Sequence, residues 1–399
     1  MKHWKKIPIL FFMLIYANQG LSALPSQCLY YLQRETWGLS AFQLGLVAFV
    51  IGLAWCVKPF FGFLTDCFSI KNYRTKYYLL TNYILLISTY LYIIFFGLNF
   101  YSLLITGFII SSALAFSDVC NDTQMIILEK KYDLKGRIQA IQWSSLSVAG
   151  LFVAICGALI ADKIPEPLNY KVAYGLILAL PILTFLYLKK NYKEKPIKKK
   201  VEFKTFLKLF KIFKNKNFVL CLLFIAFLNF SPSFGYALTI KLREHMGVGK
   251  MFLGWLGATG TVLGLVGYAI YYWKAYKVDM KKLLYFMIIF SAITNLFYLY
   301  LPNKWIILIY SIMFGAFNGI AFLTLLSFFA RIVPTGGEGL FYALVTSVSN
   351  LTARLGGVFG GAIYDNFGYN INVIFASATT LMCLCFVPYL KMEVSKNEL

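Results

Sequence analysis

Acidic residues are scarce in this chain. Sixteen Asp and Glu face 38 Lys and Arg, for a formal net charge of +22, and charged residues of both signs make up only 14% of the sequence. Histidine is nearly absent, with two residues, and neither sits in a group that pairs with the eight cysteines at metal-ligand spacing. Cys383-Leu384-Cys385 lacks the two-residue gap of a redox pair. No glycine-rich phosphate loop, HExxH helix or nucleophile triad occurs. These gaps argue against zinc or redox chemistry, ATP hydrolysis and covalent catalysis, so no enzyme activity, cofactor or metal is expected.

Apolar residues fill the space that charge leaves. They reach 60% of the sequence, with a mean hydropathy of +0.70, against roughly 45–50% in soluble domains. A helix needs about 20 such residues to cross a hydrocarbon core near 30 Å thick. Twelve windows qualify: 7–31, 40–64, 76–97, 100–127, 138–161, 168–188, 217–240, 250–273, 281–301, 304–330, 339–363 and 370–390. The basic, apolar opening resembles a signal peptide, but no small-residue cleavage site follows. An uncleaved first span is expected.

The basic residues are not spread evenly. With the N-terminus placed in the cytoplasm, the loops and tails on that side hold 29 Lys or Arg and the opposite side holds seven. Lys58 and Arg354 lie within spans. This asymmetry is the positive-inside pattern, with both termini cytoplasmic. Anionic lipid headgroups account for the net charge better than nucleic acid does. A multi-pass protein of the cell membrane is expected, with a bacterial inner membrane the first choice.

The longest charged interruption, 189–216, falls after the sixth window. It separates an N-terminal bundle, 1–188, from a C-terminal bundle with a short tail, 217–399. Leu207, Phe210 and Phe213 suit an apolar stripe on the cytoplasmic leaflet. A faint repeat relates the halves. Gly157-Ala-Leu-Ile-Ala-Asp162 and Gly360-Gly-Ala-Ile-Tyr-Asp365 end the fifth and eleventh windows, and the same offset matches Ala140 with Ala343 and Ser144 with Ser347. Gly257, Gly260, Gly264 and Gly267 line one helical face, as do the glycines at 356, 357, 360 and 361; such stripes let helices pack closely.

Charges inside the spans point to a solute path. Asp118 and Asp122 are one helical turn apart in an apolar stretch, with Glu129 two turns further on nearly the same stripe. Burying such a charge costs roughly 2.5–3.5 kcal/mol on insertion scales. Two neighbouring carboxylates in low dielectric resist simultaneous ionisation, which suits either a shared proton that couples transport or a static lock between helices. Arg354 shares a face with Ser347 and Asn350 and offers a fixed fork of donors. It fits an anionic substrate, or an ion pair with Asp118 or Asp122. Lys58 is a second candidate for an anion contact, while Asp66 and Arg74 suit a charge lock on the cytoplasmic side. Tyr16, Trp55, Trp143 and Tyr236 are among the candidate cavity aromatics, and Gln142 and Asn229 among the polar recognition groups.

Three segments then resemble the folate–biopterin transporter family of the major facilitator superfamily. The first runs from Lys58-Pro59 through Gly62 and Asp66 to Tyr73-Arg74. The second is Asp118-Val-Cys-Asn-Asp122 with Glu129, continued by Gly136-Arg137-Ile-Gln139. The third is Pro334-Thr-Gly-Gly-Glu338-Gly339, followed by Ser349-Asn350. Val333 stands where that family's pattern has a cysteine, and Arg354 is outside it. The resemblance implies a major facilitator fold of twelve helices in two six-helix bundles, with a substrate site between the halves. It also implies proton-linked transport of folate, reduced folate or biopterin-like compounds, and a monomer is expected because one pair of six-span halves can form the complete path. Asp118, Asp122, Arg354, Asn350 and Lys58 are then expected at substrate or proton coupling, and Asp66, Arg74, Glu129, Arg137 and Glu338 at gating. A carrier for another anionic or nucleotide-like metabolite is the alternative, and a membrane receptor or scaffold a more distant one.

Overall fold

The computed structural model describes residues 8–132, 137–196, 209–274, 277–333 and 338–391. Among them secondary structure is helical, apart from one isolated bridge between Ile70 and Tyr73. Helix is what an apolar chain in lipid requires, since every backbone N–H and C=O must find its partner within the segment. Eleven helical stretches among the described residues are long and apolar enough to span a membrane. The twelfth expected window, 370–390, falls inside the last of these, Leu340–Tyr389, which runs for 50 residues. Its helix contains Gly368 at φ 82° and ψ 177°, where non-helical backbone joins two helical arms.

In chain order the first half supplies α1 (Ile9–Leu21), α2 (Ser26–Tyr31), α3 (Ala41–Cys56), α4 (Lys58–Cys67), α5 (Lys76–Phe96), α6 (Phe100–Tyr132), α7 (Arg137–Lys163) and α8 (Leu168–Lys190). The second supplies α9 (Lys216–Phe230), α10 (Gly235–Ile240), α11 (Lys250–Trp273), α12 (Met280–Phe297), α13 (Lys304–Ile332) and α14 (Glu338–Met382). Breaks fall near prolines, which lack the N–H that continues a helix. Pro25 lies between α1 and α2, Pro59 follows the α3–α4 break at Val57, and Pro232 separates α9 from α10.

The chain forms two compact units, Met1–Tyr30 with Ile51–Phe206, and Tyr31–Val50 with Leu207–Leu399. The stretch 31–50 packs with the second half. Phe11, Phe12, Leu79, Tyr83, Leu86 and Ile93 are fully buried in the first unit. The second is centred on Phe218, Phe224, Phe328, Ile332 and Val345. Large apolar side chains also stand on the outside, such as Phe95, Phe96 and Tyr101. An exposed apolar belt of this kind marks a surface made for lipid.

The glycine stripe of the eighth window does what its spacing suggests at two positions. A Cβ on Gly267 would lie 2.0 Å from the Ala316 carbonyl oxygen, and one on Gly319 2.2 Å from that of Gly264. Backbone therefore touches backbone between α11 and α13.

Candidate functional site

Within the first unit, α1, α4, α6 and α7 bring polar groups together in an apolar surround. Asp118 on α6 meets Lys58 on α4, Oδ2 to Nζ, at 2.5 Å. Both side chains are nearly enclosed, at 13% exposure for Lys58 and 5% for Asp118. The Lys58 ammonium also lies 4.8 Å from the centre of the Trp55 ring, a cation–π contact that offsets part of its lost hydration. Pro59 sits in the first turn of α4, where its missing N–H costs nothing, so the helix restarts beside Lys58. Phe61 stacks on Phe116 at 4.8 Å and 9°, fixing α4 against α6 two residues before Asp118.

Asp122, one turn along, has different company. Tyr16 on α1 donates its hydroxyl to Oδ1 at 3.3 Å, and Gln142 on α7 reaches the same oxygen at 3.5 Å. Tyr16 in turn packs edge-on against Trp143. The hydrogen bonds onto Asp122 thus come from neutral donors, whereas Asp118 holds a cation. Gln142 Oε1 and both side-chain polar atoms of the fully buried Asn121 have no hydrogen-bond partner among the described residues. Orphaned polar atoms of this kind call for an explanation, since each normally costs stability.

The remaining expected residues are placed as follows. Arg354 donates Nη1 to the Ala48 carbonyl at 2.9 Å within the second unit. Asn350 lies one turn before it on α14. Glu129 accepts from the backbone N–H of Ile138 and Gln139, at 2.9 and 3.4 Å, and so caps the start of α7. The side chains of Asp66, Arg137 and Glu338 lie outside the described residues, and with Asp66 goes the expected Asp66–Arg74 lock.

Sequence reasoning passed over Glu194. It lies in the basic linker, yet its carboxylate accepts from the backbone N–H of Arg74, Thr75 and Lys76 at 3.2, 3.1 and 2.8 Å, and from Gln124 Nε2 at 3.1 Å. The unpaired N–H groups at the start of α5 make that spot attractive to an anion. Tyr192 helps dock the same stretch by stacking on Phe11 at 4.4 Å. The signal available was a lone acid between lysines, which also describes any solvated linker residue.

A family model described as the BT1 family matches residues 19–392. Among curated proteins, a folate-biopterin transporter of Synechocystis sp. is 24% identical over 99% of this chain and 85% of its own. Folate transporter 1 of Plasmodium falciparum is 24% identical over 92% of this chain and 74% of its own. Solved structures of far lower identity share the fold. A D-xylose–proton symporter superposes with a TM-score of 0.75 at 14% identity, covering 98% of both chains. Nucleoside transporter NupG gives 0.67 at 13%, covering 95% of this chain and 97% of its own. The architecture is therefore the all-α, multi-pass fold of major facilitator transporters.

Proposed function

The chain belongs to the BT1 family, and we propose that this secondary transporter carries folate, reduced folates or biopterin-like pteridines, coupled to protons, by alternating access. The observation that carries the reading is the unequal treatment of two carboxylates one turn apart. Asp118 is neutralised by Lys58, while Asp122 is met by the neutral donors Tyr16 and Gln142. A buried carboxylate whose cation acts on it only from a distance gains from taking up a proton or a donor-rich ligand. The amino and ring N–H groups of a pteridine present such donors side by side. Trp55, Trp143 and Tyr16 supply flat faces for its ring, and Asn121 and Gln142 supply polar atoms still lacking partners. A ligand carboxylate would compete with Asp118 for Lys58, linking occupancy to the ion pair. Arg354 and Asn350 are assigned to substrate recognition in the second half, and Arg74 and Glu129 to gating with Asp66, Arg137 and Glu338.

Twelve spans fit better than eleven. A straight helix of 45 residues would reach about 68 Å, more than twice the hydrocarbon thickness. The arms on either side of Gly368 are therefore two spans, giving six before the linker at 189–216 and six after it. One such chain contains a complete path, and a monomer is the working unit.

The test is counterflow in liposomes of labelled folate, a reduced folate and biopterin, with and without an imposed pH gradient. Saturable, competable exchange that an acid gradient accelerates is the expected result. Folded protein that exchanges none of the three would overturn the pteridine assignment and turn the search to other anionic metabolites.

A further inference from the structure

Two short turns in the second unit repeat each other in sequence, backbone and partners. Leu32-Gln-Arg34-Glu35-Thr-Trp37-Gly38-Leu39 and Lys241-Leu-Arg243-Glu244-His-Met246-Gly247-Val248 stand 209 residues apart. Each follows a six-residue helix, α2 and α10. Each winds as a π-turn, closed by Trp37 N–H to the Leu32 carbonyl at 2.9 Å and by Met246 N–H to the Lys241 carbonyl at 3.1 Å. Each ends on a glycine in left-handed conformation, φ 68° at Gly38 and 63° at Gly247, where a side chain would be strained. In each, the arginine donates Nη1 to the carbonyl five residues on, Leu39 at 2.8 Å and Val248 at 2.7 Å. The helices that follow, α3 and α11, start at the same offset.

The repeats also bind each other reciprocally. Arg34 forks onto both Glu244 oxygens at 2.7 and 2.9 Å. Arg243 returns the contact to Glu35 Oε1 through Nε at 3.2 Å and Nη2 at 2.7 Å. Residue i of one turn meets residue j of the other, and j meets i, as in a two-fold interface. Lys250 adds a contact to Glu35 at 3.4 Å. Next to this pair α3 lies directly on α14. Asp365 accepts from the N–H groups of Ala41 and Phe42 at 3.1 and 2.8 Å, and a Cβ on Gly361 would lie 2.4 Å from the Ala41 carbonyl.

We infer that the two Arg–Glu turns form a symmetric latch on the membrane face opposite the basic linker, and that the latch must part for the transport path to open there. The inference rests on alternating access and not on which solute is carried. The acids of the pairs are well exposed, at 41% for Glu244 and 39% for Glu35. Exposed ion pairs of this kind are individually weak. Two weak pairs, broken together, suit a contact that opens in every cycle. The segment 31–50 runs on in the chain into Ile51 of the first unit while it packs with the second, so a path opening at this face has to part this contact.

The latch is tested by the reactivity of a cysteine placed behind it. Ala41 and Leu44 are buried at 0% and 2% exposure. Ala41→Cys and, separately, Leu44→Cys are introduced in liposome-embedded protein and labelled with a membrane-impermeant maleimide, subtracting the signal of the native cysteines. Glu35→Gln with Glu244→Gln keeps both arginine–carbonyl bonds and removes only the charge pairs; labelling should rise about three- to tenfold. Arg34→Glu sets three acids against one arginine and should label at least as fast. Arg34→Glu with Glu244→Arg rebuilds opposed charges and should bring labelling well below that of Arg34→Glu, toward the parent rate, with only the bond to the Leu39 carbonyl still missing. The latch is overturned if the double glutamine variant labels at the parent rate, or if the charge exchange leaves labelling as fast as in Arg34→Glu. Labelling needs no substrate, so a failed pteridine assignment leaves this result untouched.

Discussion

The helix that starts at Lys58 meets α6 in the first unit, and α11 meets α13 in the second, at corresponding places in the two halves. In the first, the contact holds Lys58 against Asp118 beside a stacked Phe61–Phe116 pair. In the second, the offset of 209 residues sets Gly267 where the first half has Lys58. There the backbones close on each other at Ala316, Gly264 and Gly319. Glycine contact leaves no volume for a long ionisable side chain, and a lysine needs the opposite. One half makes room for charge and the other packs backbone on backbone at the matching place, while the Arg–Glu turns are nearly identical in both.

Removing one partner of the charged contact should have the largest effect. Lys58→Met leaves Asp118 buried without its cation and is expected to cost about 3–5 kcal/mol, read as a lower melting temperature in detergent. Adding Asp118→Asn should restore most of the stability without restoring transport. If the single variant melts like the parent, the pair carries no such weight. A smaller loss is expected in the glycine contact. Gly319→Val should cost about 1–3 kcal/mol or more by overpacking. Gly260→Ala, whose added carbon meets only the Ser311 hydroxyl at 3.8 Å, should leave the melting temperature within a degree or two of the parent, about the scatter expected of a neutral change. Equal effects at both positions would remove the contrast drawn between them. The smallest change belongs to the edge of the first unit. Glu194→Gln weakens a charged cap on three backbone N–H groups and should cost about 1 kcal/mol. Limited proteolysis near Lys193 and Lys195 should quicken accordingly.

Much of the membrane architecture was legible because lipid imposes a coarse rule, a run of about 20 apolar residues between basic breaks. Asp118 and Asp122 stood out for the same reason, as charges where charge is costly. Their partners did not. Lys58 read as a contact for substrate, and only the packing of α4 on α6 gives it to Asp118. Arg354 suits an anionic substrate or an ion pair with those acids, and nothing in the sequence signals its bond to the Ala48 carbonyl. Glu194, Arg34 and Glu244 looked like ordinary solvated charge, since their roles depend on chain segments 70 to 210 residues away. The window 370–390 was visible as an apolar run, and in the structure it continues the preceding helix across non-helical backbone at Gly368.

We assign proton exchange to Asp122, while Asp118 pairs with Lys58 until a ligand carboxylate competes for it. The direct measurement is uptake into liposomes by Asp122→Asn, with and without an acid gradient, beside the parent protein. Asparagine keeps an oxygen for the Tyr16 hydroxyl, so the fold and the exchange without a gradient should persist. The account predicts that the gradient no longer accelerates uptake. Acceleration equal to the parent's would contradict it and move the coupling role elsewhere in the chain.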